Sequence, residues 1–174
     1  PLDFPQEVEW HNTGNLYVGG SATSGIGSGI LTIGPNACLD VDGMLKIWAG
    51  DTVNLFGGCV EFATLNTDNN QGIFNWYGGE ITDSDDLIVS VFEPISRVLG
   101  VGTGTSMTLR VLNDRHLYVV GRTTLNSTLY LDGGTFSTGT LQNGFRLTFL
   151  SGTFYSTSIL PGPMIARGRG LPPA

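Results

Sequence analysis

The chain has 174 residues, of which 26 are glycine and only 13% are charged, and its net charge is −7. This length suits one domain, and the few scattered basic residues exclude the Lys and Arg clusters that nucleic-acid binding requires. Scarce helix formers and abundant glycine and threonine predict an all-β fold, and no apolar run is long enough to predict a membrane span.

The first predicted element is an N-terminal arm or cap over residues 1–14. This stretch, PLDFPQEVEWHNTG, contains two prolines and no copy of the repeat that follows it. Proline lacks a backbone donor and is disfavoured inside a sheet, so we predict an extended arm. Its large apolar residues, which are candidates for assembly contacts, are Leu2, Phe4 and Trp10.

Paired glycines mark a repeat from residue 15 onward. The intervals between pairs are 38, 21, 55 and 18 residues, which approximate multiples of a unit of about 20 residues. Degenerate copies are predicted at Asn36-Ala37 and Asn113-Asp114, with a poorer one inside VSVFEPISRV at residues 89–98. The predicted turn glycines are Gly19, Gly20, Gly57, Gly58, Gly78, Gly79, Gly133, Gly134 and Gly152, of which the last follows Ser151.

Apolar and polar residues alternate on both sides of each pair, which is typical of a strand, a corner and a second strand. A unit of this size cannot bury its own apolar face, whereas stacked units can. We therefore predict a parallel β-helix of about eight rungs over residues 15–160, irregular around residues 83–105. A β-sandwich with glycine-rich hairpins is the alternative. The apolar residues two positions from a pair are Leu55, Val60, Trp76, Ile81, Leu131, Phe136, Phe149 and Phe154.

The two cysteines occupy equivalent positions in neighbouring copies. Cys38 follows Asn36-Ala37, and Cys59 follows Gly57-Gly58. Stacked rungs place equivalent Cα atoms about 4.8 Å apart, which is within the range for a disulfide. The spacing therefore predicts a rung-to-rung disulfide, with two stacked free thiols as the alternative.

Clustered carboxylates are the candidates for metal binding and acid–base chemistry. Asp83, Asp85 and Asp86 form a polar turn that supplies part of the oxygen set calcium prefers, and no other cofactor is expected. Asp40 and Asp42 share one face of a strand, where they serve either acid–base catalysis or solubility. Neither His11 nor His116 lies in a catalytic motif, so we expect no enzymatic activity.

Two tyrosines are predicted to lie on the outside of the solenoid. Tyr77 and Tyr130 directly follow or precede inward positions, whereas Trp76 itself falls at an inward position and is expected in the core. Exposed aromatic rings stack on sugars, and they also stabilise sheets by pairing across strands. Tyr77 and Tyr130 are therefore the candidates for glycan contacts.

The last predicted element is a C-terminal arm over residues 161–174. The sequence PGPMIARGRGLPPA is rich in proline, glycine and arginine and contains no repeat. Such a composition favours an extended segment. The residues of this arm that we expect to contact an assembly partner are Met164, Ile165, Arg167 and Arg169.

Five segments share a glycine-rich pattern, and they are LYVGG (16–20), ILTIGP (30–35), MLKIW (44–48), TVNLFGG (52–58) and TTLNSTLYLDGGTFSTGTL (123–141). Through these segments, about two thirds of the chain resembles the glycine-rich β-solenoid repeats of large secreted bacterial surface proteins, including autotransporter-passenger-like repeats and repeat proteins of the PEP-CTERM sorting system. This resemblance implies secretion to the cell surface or beyond and a structural or adhesive role, and it identifies no catalytic residues.

The predicted function is therefore an extracellular structural solenoid that assembles with its own copies into a filament, a surface layer or a matrix. Its ends and arms are the expected contacts, because a contact between unlike surfaces that does not close generates a fibre. The second-ranked alternative is a polysaccharide-binding or adhesin module, and the third is a lyase or glycosidase. Neither nucleic acid nor a membrane is an expected partner.

Overall fold

The computed structural model describes residues 8–68, 71–89, 100–101, 108–126, 128–142 and 146–160. These ranges contain strands and turns, as the glycine and threonine content predicts. The strands are β1 (Val8–Asn12), β2 (Leu16–Val18), β3 (Ile30–Ile33), β4 (Ala37–Ile47), β5 (Thr52–Asn66), β6 (Ile73–Asp83), β7 (Leu87–Val89), β8 (Gly100–Val101), β9 (Thr108–Leu112), β10 (Arg115–Leu125), β11 (Leu129–Gln142) and β12 (Leu147–Ile159).

The strands form a parallel β-solenoid whose rungs each contribute to three faces. The long strands bend around corners, so that β4, β6 and β10 each belong to two faces and β5, β11 and β12 each belong to three. Face A contains residues 8–12, 37–41, 59–62, 80–83, 115–119, 135–138 and 153–156. Face B contains residues 16–18, 44–47, 64–66, 87–89, 122–125, 140–142 and 158–159. Face C contains residues 30–33, 52–55, 73–76, 109–112, 129–132 and 147–151.

The described residues wind through about five turns, so the expected eight rungs are not confirmed. The physical reason is that two turns are longer than the repeat unit. Val8 pairs with Ala37, an offset of 29 residues, and Gly79 pairs with Arg115, an offset of 36 residues. Elsewhere the offset is 18 to 22 residues. The parallel stacking also excludes the β-sandwich alternative for the described part of the chain.

The core is a set of apolar columns that run along the solenoid axis. On face A, Leu39, Val60, Ile81, Leu117 and Phe136 occupy paired positions in successive rungs and are all buried. The predicted inward positions next to the glycine pairs are confirmed, because each is buried or packs against the core. The alternation in the sequence thus identifies the inner side of each strand.

Four of the five glycine pairs lie at one corner, between face C and face A, and Asn36-Ala37 and Asn113-Asp114 occupy the same corner. The register of the sheet shifts there, for example between Phe56 and Cys59. Gly19-Gly20 is an exception. It follows β2 at the corner between faces B and C, where Gly19 packs against Asp51, so this pair does not mark the same unit as the others.

Strand pairing is mixed within the described part of residues 83–105. β7 pairs in parallel with β10, whereas β8 pairs antiparallel with β9. Most of the degenerate copy at residues 89–98 lies outside the described residues. No helix that is long and apolar enough to cross a membrane occurs in the part of the chain that the structure describes.

The two predicted arms are described only in part. Within residues 1–14, Val8–Asn12 forms β1 and pairs with β4 as the first strand of face A. Trp10 lies on this strand and is exposed. The other predicted assembly residues lie outside the described residues, and they are Leu2, Phe4, Met164, Ile165, Arg167 and Arg169.

Candidate functional site

A disulfide joins Cys38 and Cys59 on the outer side of face A. The two residues are paired in the register of β4 and β5, and their Cα atoms lie 4.5 Å apart. The stacking of rungs brings them together, as their equivalent positions in the repeat predict. The bond fastens one rung to the next at the surface.

The outer side of face A is acidic. Asp40 and Glu61 are paired in the register of neighbouring rungs. Glu80 is paired with Cys59, in the adjacent column of the same face. Partial burial raises the pKa of Glu61, and the charges of Asp40, Asp42 and Glu80 raise it further. This arrangement concentrates negative charge on one face, which disfavours a polyanionic ligand there.

His11 lies over the same strip and contacts two carboxylates. Its Nε2 atom is 2.9 Å from Oδ1 of Asp42 and 3.6 Å from Oδ2 of Asp40. The hydrogen bond and charge of Asp42 raise the pKa of His11, and Asp40 contributes to the same effect. Among the described residues, the potential metal-ligand atoms of His11, Asp40 and Asp42 lie close together. Because His11 belongs to β1 and both aspartates belong to β4, these contacts hold the edge strand β1 on β4.

The sequence prediction misses the His11 contact because it assigns residues 1–14 to an arm. The available signal is the alternation in Val8, Trp10 and Asn12, which matches Ala37, Leu39 and Val41 in the next rung. Aligning these positions places His11 over Asp40. The insertion between β2 and β3 hides this register, since it lengthens the first turn to 29 residues.

The three aspartates predicted as calcium ligands are held in separate environments. Asp83 is buried in the face A column between Phe62 and Val119, where its Oδ1 accepts a hydrogen bond from the backbone N–H of Asp85. Asp86 is exposed, and its Oδ1 accepts one from the backbone N–H of Arg122. One oxygen of each of these two carboxylates therefore accepts a hydrogen bond from a backbone N–H group, and the calcium site stays a prediction.

Burial makes the carboxyl group of Asp83 a weaker acid than that of an ordinary aspartate. Desolvation raises its pKa from 3.8 to about 6, the charges of Asp85 and Asp86 add to the rise, and the hydrogen bond from Asp85 opposes it. The folded protein therefore binds a proton at Asp83 more strongly than the unfolded chain does. Between these two pKa values, the contribution of Asp83 to stability falls as the pH rises.

Replacement of Asp83 with asparagine is expected to raise the free energy of unfolding by about 2 kcal/mol at pH 7. The full pKa shift corresponds to about 3 kcal/mol, and burial of the amide offsets about 1 kcal/mol of it. Urea unfolding between pH 4 and pH 7 measures this, with Asp114→Asn, at an exposed aspartate that does not contribute to the pKa of Asp83, as the control. Parallel pH profiles for wild type and Asp83→Asn would contradict the account.

The corner between faces C and A carries a shallow open groove. One depression of about 460 Å³ is bordered by Phe56, Tyr77, Glu80, Asp114 and His116, and glycines form part of its lining. A second of about 420 Å³ adjoins it and shares Tyr77 and Asp114. It continues past Asp132 and Ser151. The missing glycine side chains leave this corner open, so the groove crosses several rungs.

Tyr77 is the most exposed aromatic ring in this groove. It is 58% exposed and stacks on Phe56 with the ring centroids 4.5 Å apart and the planes at 2°. Trp76, its neighbour, is buried as predicted. Tyr130 is only half-exposed and lies on face C, opposite Thr148 in the register. Of the two predicted glycan candidates, Tyr77 therefore offers the accessible ring.

No protein-family model matches this chain, and searches of curated proteins and of solved structures find no match either.

Proposed function

We propose that this chain is an extracellular structural β-solenoid that stacks end to end with its own copies into a filament, surface layer or matrix. The observation that carries the proposal is the apolar cross-section at both ends of the described solenoid. The disulfide is compatible with secretion, because such bonds persist in oxidising compartments. The resemblance of the repeats to secreted surface proteins points in the same direction.

At the N-terminal end, a core column ends in an exposed side chain. Trp10 is paired with the buried Leu39, so it occupies the inward position of face A, yet it is 51% exposed. Val8 on the same strand is also exposed. Within the described residues, β1 pairs with β4 and presents its other edge. Such an edge readily accepts another strand.

At the C-terminal end, the same columns end in β12. Phe154 continues the column of Phe136, and the two rings lie 5.5 Å apart. Ile159 continues the face B column of Leu141 and is 46% exposed. Within the described residues, β12 pairs with β11 and its other edge is available.

The two ends of the solenoid are complementary because the same apolar columns terminate at each of them. If β1 of a second copy lies next to β12, Trp10 of that copy falls on Phe154 and the column continues without interruption. Adding a strand in this way satisfies backbone groups at both edges. The contact joins unlike surfaces and does not close on itself, so it generates a filament.

Single substitutions at either end are expected to abolish assembly. Trp10→Arg places a charge in the N-terminal contact, and Ile159→Arg places one in the C-terminal contact. Burial of an unpaired charge is costly, so each variant alone is expected to be monomeric in mass photometry at concentrations where wild type polymerises. An equimolar mixture of the two is expected to form dimers that grow no further, because each variant retains one intact end.

Val120→Arg is the matched control for this experiment. Val120 is 66% exposed on β10 in the middle of the solenoid, so the variant is expected to polymerise like wild type. Polymers of both end variants alone would contradict end-to-end stacking. So would a mixture that stays monomeric, since the intact ends would then have met without binding.

A further inference from the structure

The groove at the glycine corner lies on the side of the solenoid and reaches the last rung at Ser151. It runs parallel to the solenoid axis past Phe56, Tyr77, Asp114, Asp132 and Ser151. Each rung advances roughly 4.8 Å, so these rungs span roughly 19 Å. This groove therefore suits an extended chain rather than a compact small molecule.

The aromatic pair gives this groove a stacking platform. Phe56 and Tyr77 are 49% and 58% exposed, and they lie parallel on successive rungs. An aromatic ring has a negative face, which attracts the slightly positive C–H groups on the flat side of a sugar ring. Because Phe56 holds the Tyr77 ring in a fixed orientation, binding loses less side-chain entropy than it would with an isolated tyrosine.

Three carboxylates lie beside the platform, and the lining also contains His116 and Arg115. Glu80 and Asp114 border the first depression, and Asp132 borders the second. Carboxylates accept hydrogen bonds from hydroxyl groups, which a polysaccharide supplies in pairs along its chain. Because the three carboxylates outnumber the one arginine, the lining carries a net negative charge, which repels a polyanion such as a polyuronate.

We propose that the glycine-corner groove binds an uncharged polysaccharide chain, with a sugar ring stacked on Tyr77 and hydroxyl groups donating to Glu80, Asp114 and Asp132. Phe56 positions the Tyr77 ring, and the corner glycines leave room for the chain to approach the backbone. The site lies on the side of the solenoid, so a filament of stacked copies presents it at regular intervals.

Affinity electrophoresis in native gels tests this proposal. The 174-residue chain is run in gels that contain hydroxyethyl cellulose, laminarin or polygalacturonate, and its mobility is compared with that in a gel without glycan. At least one of the two neutral glucans is expected to retard the protein, whereas polygalacturonate is not. Tyr77→Ala is expected to weaken binding about tenfold, which corresponds to the loss of one stacked ring.

Two further variants separate stacking from a general loss of structure. Tyr77→Phe keeps the ring and is expected to bind like wild type. Tyr155→Ala removes a tyrosine that is 62% exposed outside the groove, and it is also expected to bind like wild type. The proposal is overturned if neither neutral glucan retards the protein, if polygalacturonate binds more tightly than both, or if Tyr77→Ala and Tyr155→Ala weaken binding equally.

Discussion

Replacement of Gly79 with alanine is expected to lower the free energy of unfolding by about 4 kcal/mol. Gly79 has a φ of 94°, a left-handed conformation that alanine adopts at a cost. An added Cβ would also overlap the backbone carbonyl oxygen of Gly58 in the preceding rung. Backbone atoms of a stacked sheet cannot move aside without breaking the ladder, so strain and overlap act together. Urea unfolding followed by circular dichroism measures the change.

Gly50 and Gly34 are the matched controls for this prediction. Gly50 has a φ of 83°, but an added Cβ would meet nothing within 4 Å, so Gly50→Ala isolates the conformational strain, about 1 to 2 kcal/mol. An added Cβ at Gly34 is equally free, and Gly34→Ala is expected to be near neutral. If Gly79→Ala costs no more than Gly50→Ala, close stacking is not the reason for the corner glycines.

Loss of the disulfide between Cys38 and Cys59 is expected to lower the free energy of unfolding by about 3 kcal/mol. The bond closes a loop with a sequence separation of 21 residues, and it restricts the unfolded chain accordingly. Wild-type protein in reductant and the double variant Cys38→Ser/Cys59→Ser are expected to unfold at the same lower urea concentration. The double variant provides the control, because reductant is expected to leave its midpoint unchanged.

A wild-type midpoint that is insensitive to reductant under unfolding conditions would contradict the stabilising role of the disulfide. Titration with a thiol reagent provides an independent readout. The native protein is expected to show no reactive thiol, and the reduced, unfolded chain is expected to show two.

The fold is predictable from the sequence because one physical constraint dominates it. A rung of about 20 residues buries its apolar side only by stacking, so inward positions must recur in register. That is why the alternation alone identifies Leu55, Trp76 and Leu131 as core residues, and why equivalent repeat positions place Cys38 and Cys59 side by side. Short-range alternation and a fixed unit length are sufficient for these inferences.

The remaining features depend on loops, which have no fixed length. The insertions before β3 and before β9 lengthen two turns, so counting glycine pairs predicts more rungs than the described residues form. The same insertion before β3 hides the register that places His11 over Asp40. It also causes Gly19 to be counted among the repeat glycines, although it lies at a different corner. The groove at Tyr77 is not predictable as a groove, since its walls come from Glu80, Asp114 and Asp132, which are distant in sequence and meet only through the register.

Fibre diffraction from concentrated, aligned wild-type protein, with negative-stain electron microscopy of the same sample, tests whether the copies stack end to end. End-to-end stacking predicts unbranched filaments with a reflection near 4.8 Å along the filament axis, because the rungs of every copy repeat in that direction. A monodisperse monomer at every concentration would contradict the claim. Filaments whose 4.8 Å spacing lies across the axis would also contradict it, because the copies would then associate through their sides.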